Sequence, residues 1–478
     1  MVRSMDASSL ARMVGALDDQ PGPAYARLAA AIRLLVLDGR LALEVRLPGE
    51  RDLAGALDVS RTTVTSAYDA LRAGGFASSR RGSGTWTTLP DSRMAPAALA
   101  PWAPDSSSAA IDLAHASPEA PAQALRAAYD HALTALPHHL PGHGYDLIGL
   151  DGLRESIARR FTARGLPTTP EQILVTAGAQ HAFSLLLSLL VDAGDRVLVE
   201  HPTYPNALDA IRRVDARAVP VALGESGWDV EAFAAAARQT APRLAYLVPD
   251  FHNPTGLVAS ADERRGLAAA FARSHTTMVI DETLSELWFE AAPPPFAALS
   301  PEAVTIGSAS KTFWGGLRIG WIRADRALIR RLAAVRASVD NASPVLEQLA
   351  VTYLLDHHDD VLPGRRRELR DRRDALVAAV SAQLPEWTVR RPDGGLVLWC
   401  DIAEPVSSRM AVSADRYGLR LGAGPRFGVD GAFERRLRLP YTHPAEVLER
   451  AVEQVAQVYR ASLDGLGTAA EGPLDVFS

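Results

Sequence analysis

Residues 307–321, GSASKTFWGGLRIGW, place Ser308 and Ser310 directly before Lys311, and Arg318 seven residues after it. Of the 50 lysine and arginine residues in this chain of 478, Lys311 is the only lysine. The chain is also rich in Ala, Gly and Pro, which suggests a coding bias that disfavours lysine. Arginine can take almost any surface or ion-pair role, but its guanidinium stays protonated and cannot form an imine. A lysine amine can lose its proton and attack a carbonyl. Lys311 is therefore a candidate for covalent chemistry, with two hydroxyls and a guanidinium nearby that suit a phosphate.

Upstream of this run, short apolar segments alternate with helical stretches such as 152–164. The segments are ILVTAG (173–178), RVLVE (196–200), LAYLVPD (244–250), TMVIDE (277–282) and AVTIGS (303–308). Strands separated by helices predict an α/β fold with a mainly parallel sheet, whose ligand chemistry collects at the carboxyl ends of the strands. Each of those ends carries a distinctive group. TAGAQ places Gly178, Ala179 and Gln180 at a helix N-terminus, where backbone N–H groups favour an anion. EHPTYPNA supplies Tyr204, a flat ring suited to stacking. DFHNPTG supplies Asn253, an amide donor, followed by Pro254, a site for a cis peptide. Asp281 ends its strand as a carboxylate that suits a pyridine N–H.

Taken singly, each of these has an ordinary structural reading: a glycine at a strand–helix junction, a packed tyrosine, a turn. Together they match a cofactor bearing an aldehyde, a phosphate, a phenolic oxygen and a pyridine nitrogen, each needing its own partner. That cofactor is pyridoxal 5'-phosphate, with Lys311 forming the aldimine. In this order the segments resemble fold-type I aminotransferases over residues 111–463. The resemblance implies a large PLP-binding domain with a smaller C-terminal α+β subdomain. It implies that Arg438, in RLRLPY, binds the α-carboxylate of an amino acid. It also implies that Tyr145 contributes to the phosphate site, across a dimer interface. One feature departs from the pattern: relatives carry a tyrosine two or three residues after the aspartate, bonded to the phenolic oxygen, where this chain has Thr283 and Leu284, and of these Thr283 is expected to contact the cofactor and to replace the tyrosine only in part. Losing that hydroxyl puts efficient transamination in doubt and leaves at most partial transamination chemistry.

Residues 22–88 form a separate small module. AYARLAAAIRLLVLDGRL reads as a first helix; two more follow, 50–57 and 61–73, joined by a turn with Ser60 as N-cap. This is a helix-turn-helix in which Arg61, Thr62, Thr63 and Thr65 stand at the start of the recognition helix. SSRRGSGTW reads as a β-wing, with Arg80 and Arg81 for phosphates and Gly82 in its turn. The module carries nine arginines against six acids, although the whole chain has a net charge of −6. With its Leu-Pro, Glu-Arg, Val-Ser-Arg-Thr-Thr-Val and Gly-Ser-Gly-Thr elements, it resembles the GntR-type winged helix-turn-helix. By that resemblance Arg51 and Arg61 lead the DNA contacts.

Residues 89–110, rich in Pro, Ala and Ser, read as a linker, and residues 464–478 as a flexible tail. No run approaches the roughly 20 apolar residues of a membrane span. The N-terminus lacks the apolar core of a signal peptide, so a cytoplasmic, nucleoid-associated protein is expected. Cys400, the single cysteine, excludes an intrachain disulfide and a cysteine-based metal site, and no metal is expected.

A GntR-like module, a linker and an aminotransferase-like domain together resemble the MocR-type regulators. The resemblance implies a PLP-dependent, DNA-binding transcriptional regulator. Its expected partners are double-stranded operator DNA, an amine or amino-acid effector and a second copy of the chain as a homodimer. The alternative is an active PLP-dependent aminotransferase with an appended DNA-binding module.

Overall fold

The computed structural model describes residues 4–15, 23–37, 41, 45–80, 84–88, 111–429 and 432–467. Arg81, Gly82, the expected linker 89–110 and residues 468–478 lie outside these, as does the side chain of Arg80.

The N-terminal module is built from four helices and a hairpin. Helix α1 (Ala7–Val14) is capped by Asp6, whose carboxylate accepts the Ser9 N–H at 2.8 Å. Helix α2 spans Ala24–Leu37. Helices α3 (Glu50–Leu57) and α4 (Arg61–Ala73) are separated by Asp58, in the left-handed region at φ 53°, and by Ser60. The Ser60 hydroxyl accepts the Thr63 N–H at 3.0 Å, satisfying one of the open donors of α4. Strands β1 (Ala77–Arg80) and β2 (Gly84–Thr87) pair antiparallel as the wing. The apolar faces of the helices meet in one core that includes Leu28, Ile32, Leu53, Val64 and Leu71. Leu10 of α1 is fully buried in the same core, so the packed unit begins upstream of Gly22.

The second domain opens with β3 (Ile111–Leu113). The following strands are β4 (Ile173–Thr176), β5 (Arg196–His201), β6 (Arg217–Gly224), β7 (Gly227–Trp228), β8 (Leu244–Leu247), β9 (Thr277–Asp281), β10 (Val304–Ser308) and β11 (Gly320–Arg323). Strands β4 to β11 form one eight-stranded sheet in the order β4-β11-β10-β9-β8-β5-β6-β7. Neighbours from β10 to β6 are parallel, whereas β11 runs antiparallel to both β10 and β4. Apolar cores cover both faces, and β4, β8 and β10 are buried throughout, as a parallel sheet with helical crossovers requires.

A smaller sheet adds β12 (Thr388–Val389), β13 (Val397–Asp401), β14 (Leu419–Ala423) and β15 (Arg436–Pro440), in the order β12-β13-β15-β14-β3. Strand β3 pairs parallel with β14, Asp112 lying opposite Arg420. The chain thus enters the domain on the edge of its small sheet. The last helix runs Ala445–Gly467, so the expected tail from residue 464 is helical for its first turn. Tyr459, packed against Trp387 with ring centroids 5.2 Å apart, anchors this helix.

Candidate cofactor and effector site

Parallel pairing brings the carboxyl ends of the central strands to one edge of the large sheet, and a cavity of about 690 Å³ lies there. Its walls include Gly178, Ala179, Gln180, Tyr204, Asn253, Asp281, Thr283, Ser308, Ser310, Lys311, Arg318 and Arg438. Residues spread over 260 positions of sequence are therefore brought together. Tyr145 is not: its side chain is 67% exposed and stands away from the cavity of its own chain.

Lys311 sits on the short helix Ala309–Thr312 that follows β10. Its Nζ donates to the carbonyl of Ala116 at 2.8 Å. Burial, reinforced by the Arg438 and Arg318 guanidinium groups and opposed by Asp281, pushes its amine down to about 8. About a tenth of an amine depressed to this point is unprotonated at pH 7, far more than for an ordinary lysine, and the neutral form is the one that attacks a carbonyl. The rate at which PLP is captured by this amine is expected to rise about tenfold between pH 7 and pH 9 and to level off above it. Stopped-flow absorbance of Schiff-base formation checks this; a rate still climbing in proportion to hydroxide beyond pH 10 would mark an ordinary exposed lysine.

Around the lysine, each expected anion or dipole partner is fixed by its local structure. Gly178, at φ 98°, is the N-cap of helix Ala179–Leu190, and no side chain caps that end. A Cβ at Gly178 would lie 3.4 Å from the Arg318 guanidinium, and one on Gly320 would run into the Gly178 backbone at 2.6 Å. Close backbone approach thus holds Arg318 against the open helix N-terminus, where its Nη2 donates to the Ala177 carbonyl at 2.8 Å. The Ser308 and Ser310 hydroxyls bond one another at 3.0 Å beside it. This cluster of N–H groups, hydroxyls and a guanidinium is a phosphate-binding donor set.

Asp281 ends β9 with its carboxylate in the cavity, accepting the Tyr246 hydroxyl at 2.8 Å and the Thr283 N–H at 2.9 Å. Burial raises its affinity for a proton, and these hydrogen bonds oppose the rise. Its neighbour Glu282 points the other way, to Arg164 at 3.3 Å, as strand alternation dictates. The Asn253–Pro254 bond is cis, and Asn253 Oδ1 accepts from Arg438 Nη1 at 3.3 Å. Arg438 projects from β15, donates also to the Ala114 carbonyl, and packs 4.8 Å over the Phe427 ring. Burial pulls its guanidinium down to about 10. The Tyr204 hydroxyl accepts from Asn206 at 2.8 Å and is pushed up to about 12, mainly by burial.

Tyr246 and the segment 114–117 line the cavity without having been singled out from sequence. Tyr246 lay in a run whose apolar character reads only as strand. The segment follows a strand that pairs some 300 residues away, and it carries no local motif.

Pyridoxal phosphate fits this donor set. The buried Nε of Arg438 has no hydrogen-bond partner among the described residues, and its side chain lines the cavity. An orphaned polar atom in a buried site calls for a polar ligand. The phosphate donors, the Asp281 carboxylate and the Lys311 amine stand in one cavity.

On the DNA-binding module, the Arg61 side chain is 66% exposed and forms an ion pair with Glu50 at 3.3 Å. Arg51 and Thr62 are also exposed. Thr63 and Thr65 are half-buried; their hydroxyls are engaged locally, by Ser60 at 2.8 Å and by Glu50 at 2.9 Å. Of the four expected contacts at the start of α4, Arg61 and Thr62 are thus the exposed ones. Among the described residues no helix is long and apolar enough to cross a membrane.

Residues 123–455 match the family of class I and II aminotransferases, and residues 24–86 match the bacterial regulatory proteins of the gntR family. The probable rhizopine catabolism regulatory protein MocR of Rhizobium meliloti is 30% identical over 80% of this chain and 82% of its own. An HTH-type transcriptional regulator of Bacillus subtilis, YisV, is 26% identical over 92% of this chain and 96% of its own. Among solved structures, the α-aminoadipate aminotransferase LysN of Thermus thermophilus, in complex with N-(5'-phosphopyridoxyl)-L-leucine, superposes with a TM-score of 0.70. It is 27% identical and covers 75% of this chain and 94% of its own. A gntR-family helix-turn-helix and a PLP-type aminotransferase domain on one chain, in the arrangement of its full-length relatives, place this protein in the family of MocR-type, PLP-dependent transcriptional regulators.

Proposed function

We propose that this regulator senses PLP, or an amine or amino acid that reacts with it, at Lys311, and that occupancy of the site changes the binding of the N-terminal module to operator DNA. In this reading residues 22–88 bind DNA, 89–110 link, and 111–463 form the effector domain. Bound PLP supplies an aldehyde that exchanges amines and a ring that draws electrons from them. Lys311 anchors that aldehyde. Gly178, Ala179, Gln180, Ser308, Ser310 and Arg318 hold the phosphate, Asp281 holds the pyridine N–H, Asn253 donates to the phenolic oxygen, Tyr204 stacks on the ring, and Arg438 takes an effector carboxylate. Arg51, Arg61 and Thr62 are the leading DNA contacts, with Thr63, Thr65, Arg80, Arg81 and Gly82 beside them. The protein acts in the cytoplasm and at the nucleoid as a homodimer, because two half-sites are needed for ordinary operator affinity. Tyr145, exposed in its own chain, then serves the partner's phosphate site.

The observation that carries this reading is the pairing of an amine depressed to about 8 with Thr283 and Leu284 at the positions where aminotransferases place a tyrosine. The site keeps the group that captures PLP and lacks a hydroxyl tuned for turnover. Incubating the PLP-loaded protein with a panel of amino acids is expected to yield no more than about one equivalent of keto acid per site. Sustained production over many turnovers would instead support a working aminotransferase.

A further inference from the structure

The residues through which the chain enters the effector domain are also tied to two basic side chains of the cavity, Lys311 and Arg438. Lys311 Nζ donates to the Ala116 carbonyl at 2.8 Å, and Arg438 Nη2 donates to the Ala114 carbonyl. Both carbonyls belong to the stretch that continues β3, close behind the expected linker. Asp112 organises this stretch from within: its Oδ1 accepts the N–H groups of Ala114 at 2.8 Å and His115 at 3.1 Å, and its Oδ2 meets the His115 ring. The stretch is held to the small sheet by three residue pairs between β3 and β14, by the Ile111 N–H on the Gly418 carbonyl at 2.8 Å, and by the His443 ring against the Asp112 carbonyl at 2.9 Å, none of which involves Ala114 to Ala116.

We propose that Asp112–Ala116 is the relay that reports the state of the cavity to the DNA-binding module. The proposal rests on the sensing function given above and names its route. Imine formation joins Nζ to an aldehyde carbon, and the aldehyde oxygen leaves as water with the two hydrogens of the neutral amine. The donor to Ala116 is then gone. An effector carboxylate on Arg438 competes for the guanidinium edge that serves Ala114. A carbonyl that loses its donor in a buried site is penalised, so the strand takes a different position when these groups are engaged. A difference in free energy between two positions of one strand is what coupling requires. Residues 89–110 connect this strand in sequence to the winged-helix module, so the strand is the part of the effector domain nearest in the chain to the DNA-binding residues.

The test compares the full-length chain with and without PLP. Hydrogen exchange at the amides of Ala114 and His115 is expected to change at least fivefold on loading, and an unchanged rate overturns the relay. A duplex carrying the DNA upstream of the protein's own gene then reports affinity by fluorescence anisotropy. Four glycines inserted between Ala110 and Ile111 are expected to leave Schiff-base absorbance on PLP loading within twofold of wild type. The same insertion is expected to reduce the PLP-dependent change in DNA affinity to less than twofold. Asp112→Asn, which keeps the chain length, is expected to diminish that change while PLP loading persists. If the wild-type chain responds to PLP and the insertion variant responds equally, the relay is overturned and the sensing function stands. If wild-type DNA affinity ignores PLP and, in the PLP-loaded protein, a panel of amines and amino acids as well, the sensing function itself falls, and the relay with it.

Discussion

Replacing Lys311 with alanine is expected to abolish covalent attachment of PLP completely. Lysine is the sole residue type with a side-chain amine, and the chain has one. No second residue can substitute, because the other basic side chains lining the cavity, apart from His115, are the arginines Arg318, Arg420, Arg426 and Arg438, and neither a guanidinium nor an imidazole forms this imine. The phosphate donors Gly178, Ser308, Ser310 and Arg318 are untouched by the substitution, so the cofactor is expected to bind noncovalently and more weakly. Borohydride reduction of the loaded wild-type protein followed by peptide mapping should place one label on the peptide containing Lys311, and Lys311→Ala should carry none. The visible absorbance of the Schiff base should vanish with it. Label on the N-terminal amine, or label surviving in the variant, would remove Lys311 from its assigned place.

How much of this was legible in the sequence depended on how local each signal is. The bounds of α3 and α4 follow from residues within one turn of each boundary, with Asp58 supplying the left-handed conformation and Ser60 the cap. Lys311, Asp281 and Asn253 were likewise legible, because each closely follows or ends a buried strand and its side chain has few other uses there. Strand β11 was hidden, since GWIR overlaps the lysine motif and its strand character depends on pairing with β4, about 145 residues earlier. The same holds for β3 and the carbonyls of Ala114 and Ala116: a main-chain acceptor leaves no mark in side-chain composition. Helix α1 was missed because its amphipathic stretch is only eight residues long, and its burial depends on the core that contains Leu53 and Val64. Tyr246 shows the limit most plainly, since its ring fits the strand as any apolar residue would, while its hydroxyl holds Asp281.

Arg61→Ala is expected to eliminate sequence-specific DNA binding while leaving PLP loading intact. At the N-terminus of α4 this side chain is the more exposed member of its ion pair, 66% against 28% for Glu50. An exposed ion pair contributes about 0–1 kcal/mol, so the guanidinium is readily given up to a base or phosphate. Bidentate bonding to a guanine edge discriminates by about 1–3 kcal/mol, and a dimer makes it twice. The combined effect corresponds to roughly 30-fold to 10⁴-fold in affinity, which brings a specific complex down towards the nonspecific level. Folding should be little affected: Glu50 keeps the Thr65 hydroxyl at 2.9 Å, and α4 keeps its Ser60 cap. Anisotropy titrations against specific and scrambled duplexes at several salt concentrations separate the alternatives. If Arg61 reads a base, affinity falls steeply on the specific duplex alone. If it holds a phosphate, both affinities fall alike and the salt slope shrinks by about two, one for each copy in the proposed dimer. Unchanged affinity for both duplexes would exclude Arg61 from the interface and shift the reading to Arg51 and Thr62.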